Sequence, residues 1–155
     1  MTIPNSVTSI GADAFYNCLE GEFTIPDSIT SINLYGTKLS SIKIGSSLIA
    51  NVFTGQSLSA NSNLYSFTVS EDNPNYKAVN HMLLSKDGKT LICGINGDVA
   101  IPSGVETIKD SAFDQFHNLT SVVIPDSVTS IGYRAFYNCS RLTKITFGSM
   151  TASFD

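Results

Sequence analysis

The stretch Pro4–Cys18, PNSVTSIGADAFYNC, returns at Pro125–Cys139 as PDSVTSIGYRAFYNC. Twelve of the fifteen positions are identical, at an offset of 121 residues. Weaker copies start at Ile25 (IPDSITSI) and Ile101 (IPSGVETIKDSAF). Self-similarity with a period of roughly 20–50 residues is the mark of a solenoid, in which each unit buries its apolar face against the next. Anchored on the Ile-Pro position, the copies begin at Ile3, Ile25, Ile44, Val69, Ile101 and Ile124, with a partial copy from Phe147; the spacings are 22, 19, 25, 32, 23 and 23.

The cleanest unit, Leu119–Cys139, gives the expected local structure. Alternation around Val122 and Ile124 predicts a short strand. Pro125 has no N–H for a ladder and ends it, and Asp126-Ser127 turns the chain. Val128–Ile131 is a second short strand, and Gly132 breaks it. The segment around Ala135-Phe136 reads as one helical turn, as do its counterparts at Phe15 and Phe113. Parallel strands are expected near 23–25, 41–44, 66–69, 98–101, 121–124 and 144–147, with right-handed connections. Stacking would align Val7, Ile29, Val105 and Val128 in one internal column. Ile10, Ile32, Ile108 and Ile131 form a second, and Phe15, Phe113 and Phe136 a third, with Phe136 fully buried. Neighbouring strands about 4.8 Å apart keep each column close-packed.

The run Ile-Pro-x-Ser-Val-Thr-x-Ile-Gly-x-x-Ala-Phe-x-x-Cys resembles the BspA-like leucine-rich repeat, over essentially the whole chain and most strongly in 3–32 and 101–147. The resemblance implies an α/β fold class: a β-dominant, right-handed leucine-rich-repeat solenoid with short parallel strands, one-turn helices and one inserted β-hairpin. It also implies a surface or secreted protein of the adhesin or binding type. Two copies depart from the pattern. The one at Ile25 lacks Ala-Phe-x-x-Cys, and the one at Ile44 lacks its proline and carries SSLIANVFTG where the helical turn is expected. The fourth copy is enlarged: Met82–Ser85 and Thr90–Cys93 flank Lys86-Asp87-Gly88-Lys89, and Asp-Gly between apolar runs signals a hairpin. This insertion, about 73–94, is expected to project from the solenoid.

The sequence reads as a single solenoid domain, 1–155, cut from something longer, because neither end carries the polar cap a solenoid needs. Such uncapped ends would also support end-to-end self-association. Ser, Thr and Asn together make 48 of 155 residues, while charged residues are only 14% and the net charge is −4. With no Lys/Arg cluster to neutralise phosphates, nucleic acid is excluded as a partner. No apolar run is long enough to span a membrane.

Chemistry is sparse. Cys18 and Cys139 share a repeat position but lie five units apart, roughly 24 Å, beyond disulfide reach. All three cysteines read as buried free thiols. His81 and His117 have no metal-ligand spacing, and no nucleophile elbow or zinc motif is present, so neither a catalytic site nor a metal or cofactor is expected. Glu71-Asp72-Asn73 reads as a solvated turn. Asn118-Leu119-Thr120 and Asn138-Cys139-Ser140 match the glycosylation pattern, which the repeat itself already explains.

On the main sheet, alternation places Glu22, Ser41, Ser66, Asp98, Ser121 and Lys144 in one outward row, and Thr24, Lys43, Thr68, Ala100, Val123 and Thr146 in the next. Neither row offers an aromatic platform or a charge stripe. The strongest departures from the repeat, 32–64 and 73–94, belong to consecutive units and should adjoin on one flank carrying Leu34, Tyr35, Leu48, Phe53, Tyr65, Tyr76 and His81. Tyr35, Phe53, Tyr65, Tyr76 and His81 are the candidate partner-binding residues, since exposed aromatics anchor interfaces. The expected function is a non-enzymatic protein-binding or adhesion module, extracellular or on the cell surface, whose partner is a host or matrix protein. The alternative is a structural spacer with no ligand of its own.

Overall fold

Each copy of the repeat alternates short extended runs with turn residues, and the backbone follows that division. The computed structural model describes residues 1–148. Its strands are β1 (Ser9–Ile10), β2 (Glu20–Ile25), β3 (Ser31–Ile32), β4 (Lys38–Ile44), β5 (Ser66–Val69), β6 (Tyr76–Val79), β7 (Met82–Ser85), β8 (Thr90–Cys93), β9 (Gly97–Ala100), β10 (Thr107–Ile108), β11 (Leu119–Ile124), β12 (Ser130–Ile131) and β13 (Lys144–Phe147). Together they form a β-solenoid of about six turns. Pro26 and Pro125 stop β2 and β11, and each proline carbonyl then accepts the N–H three residues on, from Ile29 and Val128, at 3.1 Å in both cases.

The main face consists of two parallel three-stranded sheets, β2–β4–β5 and β9–β11–β13. Their registers are those given by alternation: Glu22, Ser41 and Ser66 align, as do Thr24, Lys43 and Thr68. Asp98, Ser121 and Lys144 align in the second sheet, beside Ala100, Val123 and Thr146. A second face carries the short strands, β1 with β3 and β12–β10–β8 in parallel order.

The expected one-turn helices are absent: no helix occurs among the described residues. Around Phe113 the N–H groups of Ala112, Asp114 and Phe116 bond three residues back, to Lys109, Ser111 and Phe113. The alternate N–H groups, of Ser111, Phe113 and Gln115, bond across to Tyr133, Ala135 and Tyr137 of the next turn. A helix would keep every donor within the segment. Here half are shared with the neighbour, and the chain bends between them at left-handed residues: Ser111 and Gln115 in this copy, Asp13 and Asn17 in the first, Arg134 and Asn138 in the last complete one. Residues with a Cβ adopt this conformation at a cost of about 1–2 kcal/mol, which the inter-turn bonds offset.

The insertion does not project. Strands β6, β7 and β8 form an antiparallel meander that extends the second face, and Met82, Leu83, Leu84 and Leu91 are buried in the core. The anticipated hairpin at Lys86–Lys89 joins β7 to β8. A tighter one joins β6 to β7 through Asn80-His81, both at positive φ, as a two-residue hairpin loop of the primed kind requires. This tip fills the gap between the two main sheets. Phe67 of β5 donates its N–H to the His81 carbonyl at 2.8 Å, and Asn80 Nδ2 reaches the Ala100 carbonyl at 3.3 Å. Because the fourth copy devotes its length to the meander, the third copy bonds directly to the fifth on the turn side, Ala60 N to Asp114 O at 2.9 Å and Gln56 Nε2 to Asp114 Oδ2 at 2.7 Å.

The internal columns hold in the middle of the stack and loosen at its ends. Ile29, Val105, Ile32, Ile108 and Phe113 are buried, whereas Val7, Val128, Phe15 and Phe136 are half-buried and Ile131 is 47% exposed. Phe136 stacks on Phe113 (5.0 Å between ring centres) but is covered on that side only among the described residues, so its expected full burial does not hold. The partial copy expected from Phe147 lies mostly outside the described residues. Phe113→Ala should therefore cost about 3–5 kcal/mol, Phe136→Ala clearly less, and the outward Thr24→Ala no more than about 0.5 kcal/mol. Urea midpoints measure this ranking, and equal midpoints for Phe113→Ala and Thr24→Ala would contradict it. Gly94→Ala should be as damaging as Phe113→Ala, because an added Cβ meets the Phe113 ring.

Candidate functional site

The flank where the turn segments meet the main strands is held by a column of amides that the repeat pattern alone does not single out. Asn61 Nδ2 donates to the carbonyls of Leu34 (3.0 Å) and Leu58 (2.9 Å), and its Oδ1 accepts from Thr37 Oγ1 at 2.6 Å. Asn96 Nδ2 donates to the carbonyls of Asn61 and Leu64, both at 2.8 Å, and its Oδ1 accepts the Asn118 N–H at 3.2 Å. Asn118 Nδ2 donates to the Ser62 carbonyl at 2.8 Å, and Arg141 Nη1 donates to Asn118 Oδ1 at 3.1 Å. Asn61 and Asn96 are buried, so each pairs carbonyls that water cannot reach. A visible signal existed: an asparagine stands shortly before each of β5, β9 and β11. At the start of the insertion Glu71 and Asp72 are exposed, but Asn73 is buried and bonds the Gly45 carbonyl and the N–H groups of Asn75 and Tyr76.

The aromatic residues expected on this flank divide between surface and core. Phe53 and Tyr76 do meet, edge to face at 5.7 Å, but each is only 3% exposed, and Leu34 and Leu48 are fully buried. The copy at Ile44 has no Ala-Phe-x-x-Cys; Leu48 stands at the repeat position of Ile29 and Val105, and Val52, Phe53 and Leu58 are buried after it. The expected exposure of Phe53 and Tyr76 is thus corrected. Tyr65 is 47% exposed, and His81, also exposed, places Nδ1 3.4 Å from Ser66 Oγ. Tyr35 is half-buried; its ring stacks on Tyr16 at 6.1 Å with 13° between planes. Tyr16, at the repeat position of Tyr137, is hidden from a search for departures because it lies inside the best-matched motif. Gly36 makes the stack fit, since any Cβ there would meet the Tyr16 ring.

Two clefts open on the turn side. The first, about 290 Å³, is lined by Tyr16, Tyr35, Lys38, Ala60, Asn63, Gln115 and His117. It lies where the second, third and fifth copies come together: Tyr35 Oη and the Gln115 amide are 3.2–3.4 Å apart, and Ala60 N bonds the Asp114 carbonyl. The second, about 220 Å³, is lined by Asn51, Phe53, Tyr76, Ser85, Thr90, Ile92 and Lys109. Lys109 Nζ donates to the Phe53 carbonyl at 2.8 Å, and burial pulls its pKa below the usual lysine range. Burial raises the Tyr76 phenol's pKa, opposed by the backbone of Val52 and Asn51, and its hydroxyl is sealed away from solvent.

The cysteines are free thiols in three different settings: only Cys93 is buried as expected, while Cys139 is half-buried and Cys18 exposed, both contrary to expectation. Among the described residues no three His, Cys, Asp or Glu side groups converge as a metal-binding cluster, and no helix is long and apolar enough to cross a membrane.

This architecture has known relatives. The BspA type leucine rich repeat region matches in six copies over residues 1–82 and 93–155. The chain belongs to this family. None of the curated proteins matches it. Among solved structures, this BspA-type chain is similar to a leucine rich cell surface protein from Faecalibacterium prausnitzii, at 32% identity and a TM-score of 0.68 over 94% of this chain and 40% of that one. It is also similar to a leucine-rich repeat protein from Eubacterium ventriosum, at 25% identity and a TM-score of 0.67 over 92% of this chain and 52% of that one. The pneumococcal vaccine antigen PcpA shares the fold at 18% identity, with a TM-score of 0.57. The chain thus spans about half or less of the length of these solved relatives.

Two measurements check the BspA-type flank. Asn61→Ala should lose about 1–3 kcal/mol by stranding buried carbonyls, while Asn63→Ala on the exposed cleft rim should change stability by less than about 0.5 kcal/mol; equal losses would show that the amide column is not structural. In thiol titration of the folded protein, Cys18 should react first. Burial pushes the Cys139 thiol up to about 11, so its labelling should accelerate only as the pH approaches that value. The Cys93 thiol is pushed higher still and should react only on unfolding. Labelling of Cys93 as fast as Cys18 would contradict the described core.

Proposed function

We propose that this chain is a non-enzymatic protein-binding or adhesion module of a surface or secreted protein, and that it meets its partner through the Tyr16–Tyr35 cleft. The observation that carries this reading is the stacked, partly exposed tyrosine pair, pinned through Gln115 beside a cleft of about 290 Å³. Large amphipathic rings that are already ordered lose little side-chain entropy on binding, which is why tyrosines are frequent interface anchors. Family membership and the cell-surface description of the Faecalibacterium prausnitzii relative support the extracellular placement. The main face, with its small hydroxylated rows, serves better as a solvated wall than as an anchor. Tyr65 and His81 form a secondary exposed pair on that face and extend the proposed contact.

The test is a pull-down from serum and extracellular matrix with this protein as bait, followed by titration of any captured protein. Tyr16→Ala and Tyr35→Ala should each weaken binding at least about tenfold, as anchor residues do, with the β-sheet circular dichroism unchanged. A partner whose affinity ignores both changes would remove the tyrosine cleft from the reading. A bait that captures nothing would favour the spacer role.

A further inference from the structure

The second cleft holds a half-buried cation that makes no direct ion pair among the described residues. Burial lowers the pKa of Lys109, and Asp110 beside it offsets part of that cost without touching the ammonium group. The nearest acidic neighbour in sequence, Asp110, turns its Oδ1 to the Tyr133 N–H at 2.7 Å. Cys93 behind it stays protonated because the thiol is fully buried. One of the three ammonium protons is used by the Phe53 carbonyl, which leaves two donors.

The walls suit an anion with a small apolar body. Phe53 and Tyr76 pack edge to face and give the cleft a rigid aromatic floor. Thr90 adds a hydroxyl, and Ile92 and Phe53 supply apolar contact. Desolvating a cation is unfavourable unless it is paired, so an anion that enters gains a partner the fold has left open. A volume of about 220 Å³ admits a small acid, the carboxyl end of a peptide or a single acidic side group.

We propose that the cleft between Phe53, Tyr76, Ile92 and Lys109 is a carboxylate-binding site, with Lys109 Nζ as the cationic partner. It is independent of the tyrosine cleft and stands or falls separately from it.

The experiment is a titration of the whole isotope-labelled protein, followed by amide chemical shifts. The first probes are benzoate and its neutral counterpart benzamide. N-acetyl-leucine and its amide then represent a peptide terminus, and a blocked glutamate peptide with its glutamine counterpart represents an acidic side group. The acids should shift the amides of residues 51–53, 92 and 109, and the neutral counterparts should not. Which acid binds most tightly identifies the source. Lys109→Met should weaken binding at least about tenfold, the loss expected of a charge-assisted hydrogen bond, while Lys109→Arg retains more of it. Equal shifts with benzoate and benzamide, unchanged affinity in Lys109→Met, or no shift of these amides by any acid would overturn the proposal. Should Lys109→Met fail to fold, the acid-against-amide comparison on the unaltered protein decides alone.

Discussion

Backbone donors handed from one turn to the next hold this solenoid together. A single copy of the repeat is too short to bury its own apolar side, and its turn segment leaves every second N–H without a local acceptor. The next copy supplies both the acceptors and the cover. Ser111, Phe113 and Gln115 bond to Tyr133, Ala135 and Tyr137, and the same offset that satisfies those donors sets Phe113 face to face with Phe136. Hydrogen bonding and packing thus specify one register. The amides of Asn61, Asn96 and Asn118 repeat that arrangement on the neighbouring edge.

The constraint also explains what happens where the repeat changes. The enlarged fourth copy packs onto the solenoid because standing away would put Met82, Leu83, Leu84 and Leu91 in water. Its backbone instead returns through a tight hairpin whose tip gives Phe67 an acceptor and Ala100 a donor. On the turn side the fourth copy contributes no ladder segment, so the third and fifth meet. The tyrosine cleft is one consequence, and the Lys109 cleft lies where Phe53 meets the β6–β7–β8 meander. Both candidate sites therefore come from the irregular middle of the protein, although Tyr16 in the first follows the regular pattern.

Much of the strand architecture was legible in the sequence, since period-two alternation and proline stops are local signals: the rows through Glu22 and Asp98 have the register that alternation gives them. The turn segment was not, because Asp13, Ser111 and Arg134 take left-handed conformations without the glycine that usually announces them. The Asn80-His81 loop is hidden for the same reason. Among the candidate contact residues, Phe53 and Tyr76 mislead because a degenerate copy still has a core to fill, and it fills it with whatever large side groups it has. Tyr35 and Tyr65 keep exposed surface, and His81 does too. Lys109 gave no signal at all, as its isolation depends on where Asp110 points.

The tip of the β6–β7–β8 meander bonds to both short parallel sheets, β2–β4–β5 and β9–β11–β13, and should weld them into one cooperative body. Amide hydrogen exchange followed through a urea series tests it directly, with the strands of each sheet reporting separately. If the weld is real, protection in both sheets is lost over the same urea range, together with that of Phe67 and Met82. Loss of protection in one sheet while the other remains folded would show two independent units and contradict it.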